Sequence, residues 1–94
     1  MRIVLTGSSG FIGGYVSTEL ARGGHTVIPL RVRPTDAQPR ALPEATALVH
    51  LAGIANPSGV GEAEILAANK ELPVQLALEA KEAGYEHFVF MSTA

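Results

Sequence analysis

The chain has 94 residues, 47% of them apolar, seven Lys and Arg against nine Asp and Glu, a formal net charge of −2 and no cysteine. This length allows one small domain that buries roughly 60–65% of its unfolded surface, and the apolar share excludes a disordered chain. No basic block is present to meet nucleic-acid phosphates, no apolar run approaches the roughly 18–20 residues of a membrane span, and without thiols there are no disulfides or thiolate metal sites, which fits a cytoplasmic setting.

In chain order, residues 2–5 (RIVL) predict a first strand. The run is short, apolar and free of polar alternation, the pattern of a parallel strand covered on both faces. Thr6-Gly7-Ser8-Ser9-Gly10-Phe11-Ile12-Gly13 follows, then helical spacing from about Gly13 to Arg22 that stops at Gly23-Gly24. Strand, glycine-rich turn and helix together can hold a dinucleotide pyrophosphate. Glycine accepts positive φ and puts no side chain between backbone and phosphate. The helix start adds unpaired N–H groups and a positive dipole end. The plainer alternative is a turn that only packs helix on strand.

Residues 26–30 predict a second strand, which runs into Arg31-Val32-Arg33. Arg31 falls near the position where an acidic residue would accept hydrogen bonds from an adenosine ribose. Two guanidiniums suit a 2′-phosphate instead, which favours NADP over NAD. The same arginines also suit an exposed strand end, and Asp36 keeps NAD open. Residues 33–45, with Pro34, Pro39 and Pro43, predict an irregular loop, with room for a short strand around residues 40–42.

Residues 47–51 predict a third strand, inside which His50 reads as a packed core histidine rather than an acid–base catalyst. A second helix is expected from about Gly61 or Glu62 to Ala83, ending at Gly84. Its apolar stripe is Ile65, Leu72, Leu76 and Ala80, with Asn69 on the same stripe. Pro73 either kinks this helix or starts a new segment. Residues 87–91 predict a fourth strand. The alternation implies right-handed crossovers and a single α/β domain.

Gly7, Gly10 and Gly13 are spaced one residue wider than the general Gly-x-Gly-x-x-Gly fingerprint. The form Thr-Gly-x-x-Gly-x-x-Gly, with Phe11-Ile12 before the last glycine, resembles the extended short-chain dehydrogenase/reductase family, NAD(P)-dependent epimerases and dehydratases acting largely on nucleotide sugars. The resemblance spans essentially the whole chain but only the N-terminal part of a family member. It implies a truncated, Rossmann-like three-layer fold with a parallel sheet of about four strands. It also implies that Gly7, Ser8, Ser9, Gly10, Phe11, Ile12 and Gly13 bind the cofactor, with Arg31 and Arg33 at its adenosine end. His50-Leu51-Ala52-Gly53 resembles the family's His-Leu-Ala-Gly/Ala turn, so Leu51, Ala52 and Gly53 are expected beside the ribose and pyrophosphate. Asn69 matches a helix asparagine that supports loops beside the cofactor, although the usual Asn-x-x-Gly-Thr reads Asn69-Lys70-Glu71-Leu72-Pro73 here. The segment ending Met91-Ser92-Thr93 resembles Phe-Val-x-x-Ser-Ser/Thr. That likeness places Ser92 at the nicotinamide and gives Thr93 the catalytic contact with the substrate's reacting oxygen. No metal site is expected.

Reductases of this superfamily use a Tyr-x-x-x-Lys pair, in which the lysine lowers the tyrosine pKa. Here Leu66 and Ala77 stand four residues before Lys70 and Lys81, and Glu19 and Val89 stand four after Tyr15 and Tyr85. The pair is therefore missing from these residues, and the family places it beyond Thr93. Two functional readings follow. One is the NAD(P)-binding portion of an epimerase, dehydratase or reductase of nucleotide sugars, without turnover on its own. The other is a stand-alone dinucleotide-binding or redox-sensing module. The family usually has a further strand and helix where 33–45 stands. An unprotected fourth strand and a sparsely covered second helix lead to an expectation of self-association, through that edge or around residues 65–80.

Overall fold

Ile3, Val4 and Leu5 have no polar face to offer water, and the strand they form, β1 (Arg2–Thr6), is buried between two neighbours. The computed structural model describes residues 1–8, 10–33, 40–51, 61, 63 and 66–91. After β1 come α1 (Phe11–Arg22), β2 (Thr26–Leu30), β3 (Ala47–His50), a π-helical turn (Ala67–Glu71), α2 (Leu72–Glu82) and β4 (His87–Phe90). All pairings are parallel, in the order β2-β1-β3-β4. This is the expected Rossmann-like sheet. The predicted strands recur within one residue at each end, and α1 starts two residues before Gly13.

Strand order decides which face each helix covers. The step from β1 to β2 runs one way across the sheet, and the step from β3 to β4 runs the other. Right-handed crossovers then place α1 and α2 on opposite faces, and α1 indeed meets β1 and β2 while α2 meets β3 and β4. Register sorts the side chains. Val4 lies opposite Ile28 and Leu48, and Leu48 lies opposite Phe88. These residues share the α2 face, where Val4, Leu48 and Ala80 form a fully buried cluster with Ile28, Leu30 and Phe88 against it. Ile3, Leu5 and Ala47 alternate to the α1 face and are also buried. Burying Leu5, Leu48 and Leu76 fully contributes about 2 kcal/mol each.

Pro73 does not begin a separate helix, because the backbone is right-handed helical at Leu66, Glu71 and Leu72. It occupies the first turn of α2, where a missing N–H costs little. The preceding turn widens, and the Leu72 N–H reaches back five residues to the Ala67 carbonyl. Over residues 66–82 the expected helix is therefore continuous, with one π-helical turn inserted just before Pro73. Leu72, Leu76 and Ala80 carry the buried stripe as expected, while Ile65 lies outside the described residues.

Residues 40–46 form no strand, contrary to the short one considered at 40–42. Pro43 has no N–H for a ladder, and side chains hold the segment to the α2 face instead. Leu42 and Ala45 pack on the core cluster. The Tyr85 hydroxyl donates to the Pro43 carbonyl, and Arg2 Nε donates to the Glu44 carbonyl at 2.8 Å. This route from β2 past β1 to β3 leaves β2 at a sheet edge along with β4. Pro29 in β2 suits an edge, because proline gives nothing to a further strand. Among the described residues no helix is long and apolar enough to cross a membrane.

Candidate functional site

At the end of β1 the chain turns on Gly7, whose φ of 72° lies in the left-handed region that glycine enters without strain. The Gly10 N–H donates to the Gly7 carbonyl at 3.1 Å and closes the turn. Gly10 is the N-cap of α1 and has no side chain to satisfy the helix start. No acidic residue stands in the first turn to compete for an anion.

The glycines of this turn differ in what they do. A Cβ on Gly13 would sit 1.8 Å from the Gly7 carbonyl oxygen and 2.8 Å from Ser8 Cα. Only a hydrogen there lets α1 lie against the turn. Gly10 is different. Its φ of −78° suits any residue, and a Cβ would meet the Gly7 oxygen at an ordinary 3.5 Å. Neither its dihedrals nor its neighbours require glycine at position 10; a ligand approaching the backbone there would.

Beside the turn lies an open cleft of about 520 Å³, lined by Gly7, Ser8, Pro29, Leu30, Arg31, Val32 and Arg33. It lies past the C-terminal ends of β1 and β2, one wall glycine backbone and the other carrying two exposed arginines. The sheet reverses its winding between β1 and β3, and in open α/β sheets ligands bind outside the strand ends at such a switch.

Thr6 ties those two strand ends together. Its buried Oγ1 accepts the Leu51 N–H at 3.0 Å and is hydrogen-bonded to His50 Nδ1 at 2.6 Å. His50 is fully buried and stacks on Phe90, with ring centroids 5.5 Å apart. Burial, and secondarily the Arg40 charge, pushes its pKa down to about 4. The ring is therefore neutral at pH 7, and it is the core histidine the sequence suggested. Tyr85 is no acid–base candidate either. Burial raises its pKa, with Arg2 acting weakly the other way, and its proton is engaged by Pro43.

The fold brings Gly7, Ser8, Arg31 and Arg33 to one cleft; Gly10 and Gly13 lie next to Gly7 at the start of α1, outside the cleft's described lining. Phe11 and Ile12 open α1 with exposed side chains. Leu51 follows β3, and Asn69 sits half-buried in the π-helical turn; neither belongs to the cleft's described lining. Ser9, Ala52, Gly53, Ser92 and Thr93 lie outside the described residues. Sequence reasoning gave Pro29 and Val32 no part in the site, and Thr6 only a place in the motif. It missed Arg40 with Glu79 altogether. Thr6 and Val32 abut residues already singled out; nothing in the sequence links positions 40 and 79. Among the described residues no group of His, Asp and Glu is placed to hold a metal ion.

A parallel sheet that reverses between β1 and β3, with strand, glycine turn and helix at that point, defines a nucleotide-binding α/β fold of the Rossmann type. Residues 3–94 match the NAD dependent epimerase/dehydratase family, and the chain belongs to that family. No curated protein matches its sequence significantly. Among solved structures, human epimerase family protein SDR39U1 (isoform 2), determined with NADPH, is 28% identical with a TM-score of 0.75; the match covers 96% of this chain and 36% of that one. A short-chain dehydrogenase/reductase superfamily protein from Agrobacterium tumefaciens, with bound NAD, is 26% identical with a TM-score of 0.76, covering 96% and 32%. MoeE5, in complex with UDP-glucose and NAD, shares the fold at a TM-score of 0.81 and 23% identity, covering 100% and 37%. The chain thus spans about a third of the length of these structures.

Proposed function

We propose that residues 1–94 are the N-terminal, dinucleotide-binding part of a cytoplasmic NAD(P)-dependent epimerase, dehydratase or reductase that acts on a nucleotide sugar. The observation that carries this reading is Gly10, a glycine that neither its dihedrals nor its neighbours require, at an uncapped helix start beside a cleft with an arginine wall. When bound, the nicotinamide accepts and returns a hydride. The chain's part is to hold and orient. Backbone from Gly7 through Gly13 faces the pyrophosphate, with Ser8, Ser9, Phe11 and Ile12 beside it, and Arg31 and Arg33 meet a 2′-phosphate, favouring NADP. Leu51, Ala52 and Gly53 flank the ribose, Asn69 supports the adjoining loops, Ser92 lines the nicotinamide site, and Thr93 contacts the reacting oxygen of the substrate. The MoeE5 complex supports the nucleotide-sugar class.

Calorimetric titration tests this directly. One NADPH is expected to bind per chain, more tightly than NADH, with no conversion of UDP-glucose by this polypeptide alone. Absence of heat for both dinucleotides would overturn the reading.

Self-association is part of the same proposal. Among the described residues β4 ends the sheet, and Val89, Phe90 and the following Met91 are exposed at 53%, 40% and 43%. Val74 and Leu78 are likewise exposed on α2. Light scattering is expected to show a mass above that of one chain, falling on Val89→Lys; a monomer at high concentration would contradict it.

A further inference from the structure

Arg40 and Glu79 pair at 2.7 Å, Nη1 to Oε1, with side chains only 9% and 10% exposed. The Arg40 backbone N–H also donates to Glu79 Oε2 at 3.1 Å. A third bond runs from Arg40 Nη2 to the Arg33 carbonyl at 3.1 Å. One guanidinium thus joins three parts of the chain: the residues leaving β2, the segment approaching β3, and α2. As a stabiliser such a pair is weak, because desolvation offsets much of the attraction. Its planar fork, however, fixes where its partners stand. What it fixes is the Arg33 backbone, and Arg31 and Arg33 form the arginine wall of the cleft.

We propose that Arg40 and Glu79 are positioning residues that hold the 31–33 wall in place to meet a 2′-phosphate, and so set the preference between NADPH and NADH. This rests on the dinucleotide reading above and deepens it. A phosphate takes a paired contact only from guanidiniums held at the right place. A ribose 2′-hydroxyl needs neither arginine. Loss of the pin therefore falls on NADPH alone, whereas a purely structural role weakens both cofactors alike.

Arg40→Lys keeps the charge and the pairing with Glu79, but a single ammonium cannot also span to the Arg33 carbonyl. Glu79→Gln keeps an acceptor and removes the charge. Each variant is titrated with NADPH and with NADH, and its melting is recorded. The expected result is a loss of about tenfold in NADPH affinity, the worth of about one hydrogen bond, with NADH changed less than about twofold. Equal weakening of both cofactors, or an unchanged ratio in both variants, overturns the proposal. A wild-type chain that binds the two equally also overturns it, since no phosphate preference then exists to be set. A wild-type chain that binds neither overturns the dinucleotide reading itself, which separates the two failures.

Discussion

Gly13→Ala is expected to move the urea midpoint of the chain sharply down. The added methyl would lie 1.8 Å from the Gly7 carbonyl oxygen and 2.7 Å from its carbon. Both are backbone atoms, and no rotamer change relieves the contact. Either α1 lifts from the turn or Gly7 leaves its φ of 72°. Overpacking of this kind costs about 3 kcal/mol or more, against a total stability of about 5–10 kcal/mol for a domain of this size. Two neighbours serve as controls. Gly14 is one residue further along α1, and an added Cβ meets nothing within 4 Å. Gly14→Ala is expected to stabilise by about 0.5–1 kcal/mol, because alanine loses less backbone freedom in a helix. Gly10→Ala should cost about 1 kcal/mol, the loss of a glycine N-cap, well below the cost of Gly13→Ala, and weaken NADPH binding. The contrast separates glycine kept for packing from glycine kept for a ligand. Equal midpoints for Gly13→Ala and Gly14→Ala would sink it.

That contrast also shows how much was legible beforehand. The glycine spacing gave the turn, but spacing alone treats its three glycines alike. Their separate roles depend on how closely α1 approaches β1, a tertiary distance. Strands β1 and β3 were readable because central parallel strands buried on both faces become continuous apolar runs; β2 and β4 carry similar apolar runs, although they lie at the edges and hold no fully buried residue. The π-helical turn in the second helix was half readable. Pro73 announced a break, but a one-residue widening over 67–71 depends on what packs on either side of it. The loop at 40–46 was readable as irregular and not as packed. Leu42, Ala45, Arg40 and Tyr85 hold it through partners that are distant in sequence. The cleft lay between: Gly7 and Arg31 were each suspected, and the parallel register of β1 with β2 brings their ends side by side.

Acid is expected to weaken the fold through His50. Its pKa falls from the ordinary 6.5 to about 4 in the native state, first through burial and then through Arg40. Between those values the unfolded chain binds a proton that the native chain refuses, so stability rises with pH across this window. The contribution is fully present above about pH 6.5 and is lost as pH falls toward about 4, amounting to about 3 kcal/mol. The physical reason lies in what surrounds the ring. Thr6 holds Nδ1, Phe90 covers one face, and the charged group bearing on the ring is Arg40, itself fixed by Glu79. Nε2 has no partner among the described residues, so the imidazolium, protonated on both nitrogens, would hold one N–H without an acceptor. The measurement is urea unfolding of wild type and His50→Gln from pH 7.5 to 4. The difference between the two curves cancels the acid titration of the carboxylates. It should narrow by about 3 kcal/mol over that range, because glutamine has no proton to gain; curves that stay parallel would show that His50 titrates alike in the folded and unfolded chain.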